Sequence, residues 1–197
     1  MANIDKPFGL RPLGNLSATG AQKQYGYTIA DNQAGAIYQG DLVTLSSGYV
    51  VKYDSGLHTV AVGVFNGCYY VDPTTGKPTW KNFYPGSVNL PAGQVIQADL
   101  MDDPSQLFLI QADEDVVQAD IGLNADIAYT AGSNTTGVSA SELDSSTIAN
   151  VAGKVLKIVG FWNAPGNTPG ENFVDVVVKI NAHMYGSAGV ANTAPAP

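Results

Sequence analysis

His58, His183 and Cys68 are the residues of the usual general-base and thiol-nucleophile types in this 197-residue chain. A hydrolase needs a nucleophile, a base and an orienting group within hydrogen-bond reach. His58 stands at the mouth of a strand in GLHTV and His183 lies in KINAHMY, neither in a recognised catalytic motif. Cys68 could pair with His58, but a single cysteine on a strand reads first as a small buried hydrophobe. Two histidines and one cysteine offer no tetrahedral zinc spacing. Asp102-Asp103 precede Pro104 in a turn, where aspartate is favoured by side chain–backbone hydrogen bonds. A glycosidase would need two such carboxylates facing each other across a cleft. DEDVVQADIGLN (113–124) has the outline of a calcium loop, but Gln118 replaces the required glycine and Asn124 the terminal glutamate. At most, such carboxylate-rich loops could take a weak calcium ion at a subunit contact. There is no P-loop and no G-x-G-x-x-G. Tyr69, Tyr70, Trp80, Phe83 and Tyr84 could form a sugar-binding platform, although such clusters more often serve as core or interface anchor. The residues therefore point to no catalytic group, no cofactor and no metal.

The elements that would carry these residues are short strands between turns. YGYTIA (25–30) leads to AIY (36–38) and the turn Gln39-Gly40-Asp41. DLVTL (41–45) and YVVKY (49–53) flank Ser46-Ser47-Gly48 as a hairpin. TVAVGVF (59–65) alternates like a half-buried strand, with Gly63 marking a close backbone approach or bulge. Asn66-Gly67 before CYYV (68–71) is the strongest short hairpin signal. Residues 72–94, rich in Pro and Gly but carrying Trp80, Phe83 and Tyr84, read as a structured excursion. QVIQADL (94–100), QLFLIQA (106–112), ADIAYT (125–130), KVLKIVGFW (154–162) and NFVDVVVKINAHMY (172–185) complete the strands, with a long loop at 131–147. Helix is limited to about one turn near 114–121 and a weak candidate near 142–151. The spacing predicts an all-β, sandwich- or barrel-like body of about nine to eleven strands, with little helix.

Around that body the reading places an N-terminal arm at 1–24 and a flexible tail at 186–197. The body at 25–185 could divide into subregions 25–112 and 113–185. KPFGLRPLGN (6–15) is apolar yet has no period of 2 or 3.6, and its prolines and glycines oppose a long ladder. Such an arm gains its ordering free energy from a neighbour, so the expectation is that a partner holds it.

Composition narrows the partner. Hydrophobic residues make up 45%, Gly 22 and Pro 11 imply many turns, and only 13% are charged. A net charge of −8 and a single arginine, Arg11, argue against nucleic acid, whose affinity rests on neutralising phosphates. No run approaches 18 apolar residues, so no membrane-spanning helix is expected. MANIDKPFGL lacks an apolar signal region, and the lone cysteine cannot form an intramolecular disulfide, so a reducing cytoplasm is the expected place of synthesis. No Lys or Arg lies between Lys81 and Lys154, where ten carboxylates fall, while the first 30 residues carry Lys6, Arg11 and Lys23 against Asp5. A basic arm on an acidic body could reach a like subunit or an acidic partner; a solvated acidic face that keeps the body soluble is the plainer alternative.

Several stretches, taken in order, resemble the head decoration (cement) proteins of tailed bacteriophages. MANIDKPFGLRPLG is similar to a start common in such virion proteins, and AIYQGDLVTL with TVAVGVF to their first barrel segment. QADIGLNADIAY, VSASELDSS, KIVGF, the Pro- and Gly-rich loop and VVKINAHMY follow in the same order. The resemblance covers residues 3 to about 185. It implies a non-enzymatic virion protein, made in the host cytoplasm, that binds the capsid exterior, often as a homotrimer, and clamps adjacent major capsid proteins. In that setting Phe8, Leu10, Arg11 and Leu13 would contact the capsid or the next subunit. A tail or baseplate component and a carbohydrate-binding module using Trp80 are the competing readings.

Overall fold

The computed structural model describes residues 3–16 and 24–186. Its elements are strands throughout, apart from one 3-10 turn at Gln118–Asp120. Two large antiparallel sheets form the body. The first is ordered β1 (Arg11–Asn15), β10 (Gln106–Gln111), β14 (Asp175–Ile180), β13 (Leu156–Phe161), β11 (Asn124–Ala128), β12 (Glu142–Ala149). The second is ordered β2 (Gln24–Ile29), β9 (Ile96–Met101), β6 (Gly63–Val71), β4 (Leu42–Ser46), β5 (Tyr49–Lys52), with β7 (Pro78–Lys81) added to the far half of β6. A small pair, β3 (Ile37–Tyr38) with β8 (Phe83–Tyr84), stands apart.

The expected all-β body is present, and alternation explains where its two cores lie. In β4, Leu42 joins one apolar cluster and Val43 the other; in β6, Val64 and Phe65 divide in the same way. One core sits between the sheets, where Phe108, Ile110, Ile158, Val176 and Val178 meet Leu42, Val64 and Met101. The other lies within the curl of the second sheet, whose end strands β2 and β5 approach each other. Ile37 and Tyr84 of the β3–β8 pair join this second core. The chain passes from one sheet to the other at the 102–105 turn between β9 and β10, somewhat earlier than a subregion boundary at 112.

Several local expectations hold. Ser46 pairs with Tyr49 across a two-residue turn in which Ser47 (φ 50°) and Gly48 (φ 84°) are both left-handed, as a type I′ hairpin requires. A Cβ on Gly63 would run into the carbonyl oxygen of Met101, so the close approach there is real.

Others are corrected. Asn66-Gly67 is a bulge inside the continuous strand β6, with the register shifting between Phe65 and Gly67. Trp80 lies over Gly67, where a Cβ would sit 2.7 Å from its ring, and Asn66 is held by its own side-chain hydrogen bonds. Residues 60–65 are buried on both faces because they run between the two cores. The weak helix near 142–151, and the end of the loop expected over 131–147, are strand β12. Its polar side chains bind neighbouring backbone instead: Asp126 N–H donates to Thr147 Oγ1, and Thr147 Oγ1 to Asp144 O.

The largest correction concerns the arm. Residues 3–16 are tied to their own chain. β1 pairs with β10 (Arg11 with Leu109, Asn15 with Gln106), and Leu10 enters the inter-sheet core at 1% exposure. Gln111 clamps the approach to β1: its Oε1 accepts from Lys6 N–H at 2.8 Å and its Nε2 donates to Ile4 O. Gln106 Nε2 donates to Gly14 O at 2.6 Å, and Leu16 N–H to Ser105 O. Leu10 thus finds its burial at home and the backbone of the segment is tied down by its own chain, while Ile4, Leu13 and Leu16 stay exposed. The remainder of the expected arm, 17–23, and the tail from 187 lie outside the described residues.

Candidate interaction site beside the N-terminal segment

Phe8-Gly9-Leu10 passes through a slot that only glycine permits. Gly9 has φ +69°, and a Cβ there would sit 2.6 Å from Ser139 Cβ and 2.8 Å from Gly40 O. Gly40 in turn faces the backbone of Phe8 and Leu10, with Leu10 N–H donating to Gly40 O at 2.9 Å. Beneath the slot lies the fully buried carboxylate of Asp41. Its Oδ1 accepts from Ser139 Oγ at 2.6 Å and Ser141 Oγ at 3.3 Å. Its Oδ2 accepts from Tyr38 N–H at 2.9 Å, with Lys52 Nζ 3.8 Å away. A buried charge is tolerated when it is hydrogen-bonded and paired, and this one ties three distant segments together.

The slot opens onto a groove of about 420 Å³ lined by Phe8, Leu10, Arg11, Gln39, Asn66 and Met101, among others. The Arg11 guanidinium lies 4.0 Å from the Phe8 ring centroid, a cation–π contact that fixes its direction. Gln39 Nε2 donates to Asn66 Oδ1 at 3.1 Å, and Asn66 Nδ2 to Asp99 Oδ2 at 2.8 Å, giving the groove a polar wall. Arg11 also reaches Asp175 electrostatically. Burial raises that carboxyl's pKa and the guanidinium offsets part of the rise.

Of the four residues expected to make contacts, Phe8 and Arg11 meet at this groove. Leu13 is 40% exposed beside it, at the bulge between Pro12 and Gly14. Leu10 borders the groove, but at 1% exposure its side chain belongs to the inter-sheet core. Sequence reasoning missed Gln39 and Asn66, which it read as turn residues; nothing local signals that their side chains share a wall with a segment so much earlier in the chain.

The aromatic group divides. Tyr70 and Tyr84 are core, Phe83 stacks on Tyr38 with centroids 5.9 Å apart, and Tyr69 and Trp80 face each other across β6 and β7 at 44% and 55% exposure.

The candidate chemistry disperses as well. Cys68 is buried in the second core, its thiol pushed up to about 12 by that burial, and it lies 3.5 Å from Phe83 O. His58 packs near Tyr53 and accepts at Nδ1 from Asp54 N–H. Asp103 Oδ1 accepts from Ser105 N–H at 2.7 Å, the turn role expected for it. In the calcium-like stretch, Asp113 and Asp120 accept from the backbone of Ser145 and Val117. Among the described residues no three His, Cys, Asp or Glu side chains converge on a metal position. No described helix is long and apolar enough to cross a membrane. Compared with protein-family models, curated proteins and solved structures, the chain gives no significant match to any of the three.

Proposed function

We propose that this chain is a non-enzymatic structural protein of a tailed-phage virion, seated on the outer face of the capsid. There it clamps adjacent major capsid proteins, as a homotrimer at threefold positions. The observation that carries the reading is the pre-ordered edge formed by Phe8, Arg11 and Leu13. A segment with this composition would lose much conformational freedom on binding if it were loose. Locked on β10 and the Asp41 slot, it presents an apolar and cationic surface at little ordering cost. The single arginine, directed by Phe8, suits an acidic or carbonyl-rich site on a shell subunit.

Because Leu10 is core, deleting the first twenty residues would test folding and binding together. Arg11→Glu is the cleaner perturbation, since Arg11 is exposed. Co-sedimentation with shells of the major capsid protein should fall at least tenfold while the far-UV spectrum is unchanged. Undiminished decoration by the variant would refute this use of the segment. A cryo-EM map of the particle separates a head position from a tail or baseplate one. A carbohydrate-binding surface is the second reading, favoured by the exposed Tyr69–Trp80 pair, and a glycan array with Trp80→Ala as control tests it.

A further inference from the structure

Both histidines are buried and used alike. His58, 9% exposed, accepts at Nδ1 from Asp54 N–H at 3.0 Å; His183, 5% exposed, accepts at Nδ1 from Tyr185 N–H at 3.0 Å. An acceptor at Nδ1 places the neutral ring's proton on Nε2. In His183 that Nε2 is itself buried, with no well-formed hydrogen bond and only the Asp102 backbone within reach.

His183 sits in the segment that follows β14. Ala61 N–H donates to Ala182 O at 2.9 Å, and Met184 N–H donates to Ala61 O at 2.8 Å, flanking the ring. Gly186 N–H donates to His183 O at 3.0 Å, and Met184 packs on the second core. Tyr185 Oη lies 3.3 Å from Tyr27 Oη, and Tyr27 donates to Asp102 Oδ2 at 2.7 Å. The titratable groups around the ring are therefore Asp102 and Asp103 of the β9–β10 turn, Tyr27 of β2 beyond Asp102, and Tyr185, whose ring centroid is 6.0 Å away. The Thr59–Gly63 stretch on its other side brings no charge.

We propose that His183 is a pH-operated latch on the C-terminal segment: protonation at Nδ1 turns the acceptor into a donor facing Tyr185 N–H, breaks that bond and releases residues 183–186 from Ala61 and Tyr27 while both sheets stay folded. Two N–H donors cannot share one hydrogen bond, and a buried imidazolium whose Nδ1–H faces another donor is disfavoured even with the Asp102 backbone near the ring. Asp102 and Asp103 favour the charged ring, but burial outweighs them, and the proton affinity of the closed form is lowered. The sign follows. With the folded pKa below the free value of about 6.5, the closed latch is fully stabilised above that pH and loses stability as pH falls towards the lowered value. Within this window opening takes up at most one proton, so the open population rises as pH falls, by no more than about tenfold per pH unit.

Hydrogen exchange of the full chain between about pH 7.5 and 5, corrected for intrinsic rates, tests the latch. Amides of Met184, Tyr185 and Gly186 should lose protection as pH falls below about 6.5, by up to about tenfold per pH unit, while those of β6 and β14 keep theirs. His183→Asn puts a carbonyl oxygen near the Nδ1 position and does not titrate, so its protection should be flat; His58→Asn should retain the loss. Protection in the wild type that ignores pH, or an acid loss that survives in His183→Asn, overturns the proposal. Should His183→Asn fail to fold, imidazole nitrogen shifts of the wild type decide. A ring protonated at Nε2 that titrates in step with the loss supports the latch, and one that stays neutral through the loss overturns it.

Discussion

Leu10→Ala tests whether the first strand belongs to its own subunit's core. Leu10 is 1% exposed and packs in the cluster that contains Phe108, Ile110 and Val178. Truncating a buried leucine costs about 2–5 kcal/mol, depending on how far the surroundings relax into the space left. Here relaxation is limited, because Gly9 and Gly40 are in backbone contact on one side and β10 is paired on the other. The expected loss is therefore about 3–4 kcal/mol, which for a chain of this length lowers Tm by roughly 6–16 °C. The assay is urea unfolding of the isolated protein, followed by tryptophan fluorescence, with an unchanged slope confirming that only stability has moved. Leu13→Ala is the internal control: at 40% exposure it should stay within about 0.5 kcal/mol of the wild type. A Leu10→Ala loss below about 1 kcal/mol, or one equal to that of Leu13→Ala, would refute the reasoning. It would return the segment to a partner.

Three further outcomes are expected. Gly9→Ala should destabilise by about 2–4 kcal/mol, through left-handed strain and overlap with Ser139, whereas Gly14→Ala, with no atom near its added methyl, should cost far less in the same melt. Asp41→Ala and Ser139→Ala, combined in a double-mutant cycle, should show a coupling of about 0.5–3 kcal/mol across their 2.6 Å bond; additive losses would mean that the slot is held otherwise. Cys68, with its thiol near 12, should resist iodoacetamide at pH 8 in the folded protein and react fully in urea; rapid native labelling would contradict its burial.

Much of the fold was legible wherever local chemistry decides. Ser46-Ser47-Gly48 read as a hairpin loop, Gly63 as a close approach or bulge, and the apolar runs of β10, β13 and β14 directly as strands. The misreadings share a physical cause, which is a distant partner. Asn66-Gly67 carries a hairpin signature, but Trp80, packed over the glycine, and Asp99, bound to Asn66, turn it into a bulge. Ser139 and Ser141 looked like loop filler because the carboxylate that buries them, Asp41, is remote in sequence. The N-terminal segment looked unheld for the same reason, since Leu109, Gln111 and Gln106 are invisible from residues 4–16. At the groove, Phe8 and Arg11 were legible as contact candidates, while the wall facing them was not.

The pairing of β1 with β10 has a consequence for synthesis. During synthesis β1 cannot settle until β10 has emerged, and its slot also needs Ser139 and Ser141. β10 in turn leans on β14, near the end of the body. At ordinary translation rates of about 5–20 residues per second, the leading segment waits roughly ten to thirty seconds with Phe8 and Leu10 uncovered. It is made well before the strands that hold it, and for that interval its apolar side chains lack the cover that β10 and the slot supply.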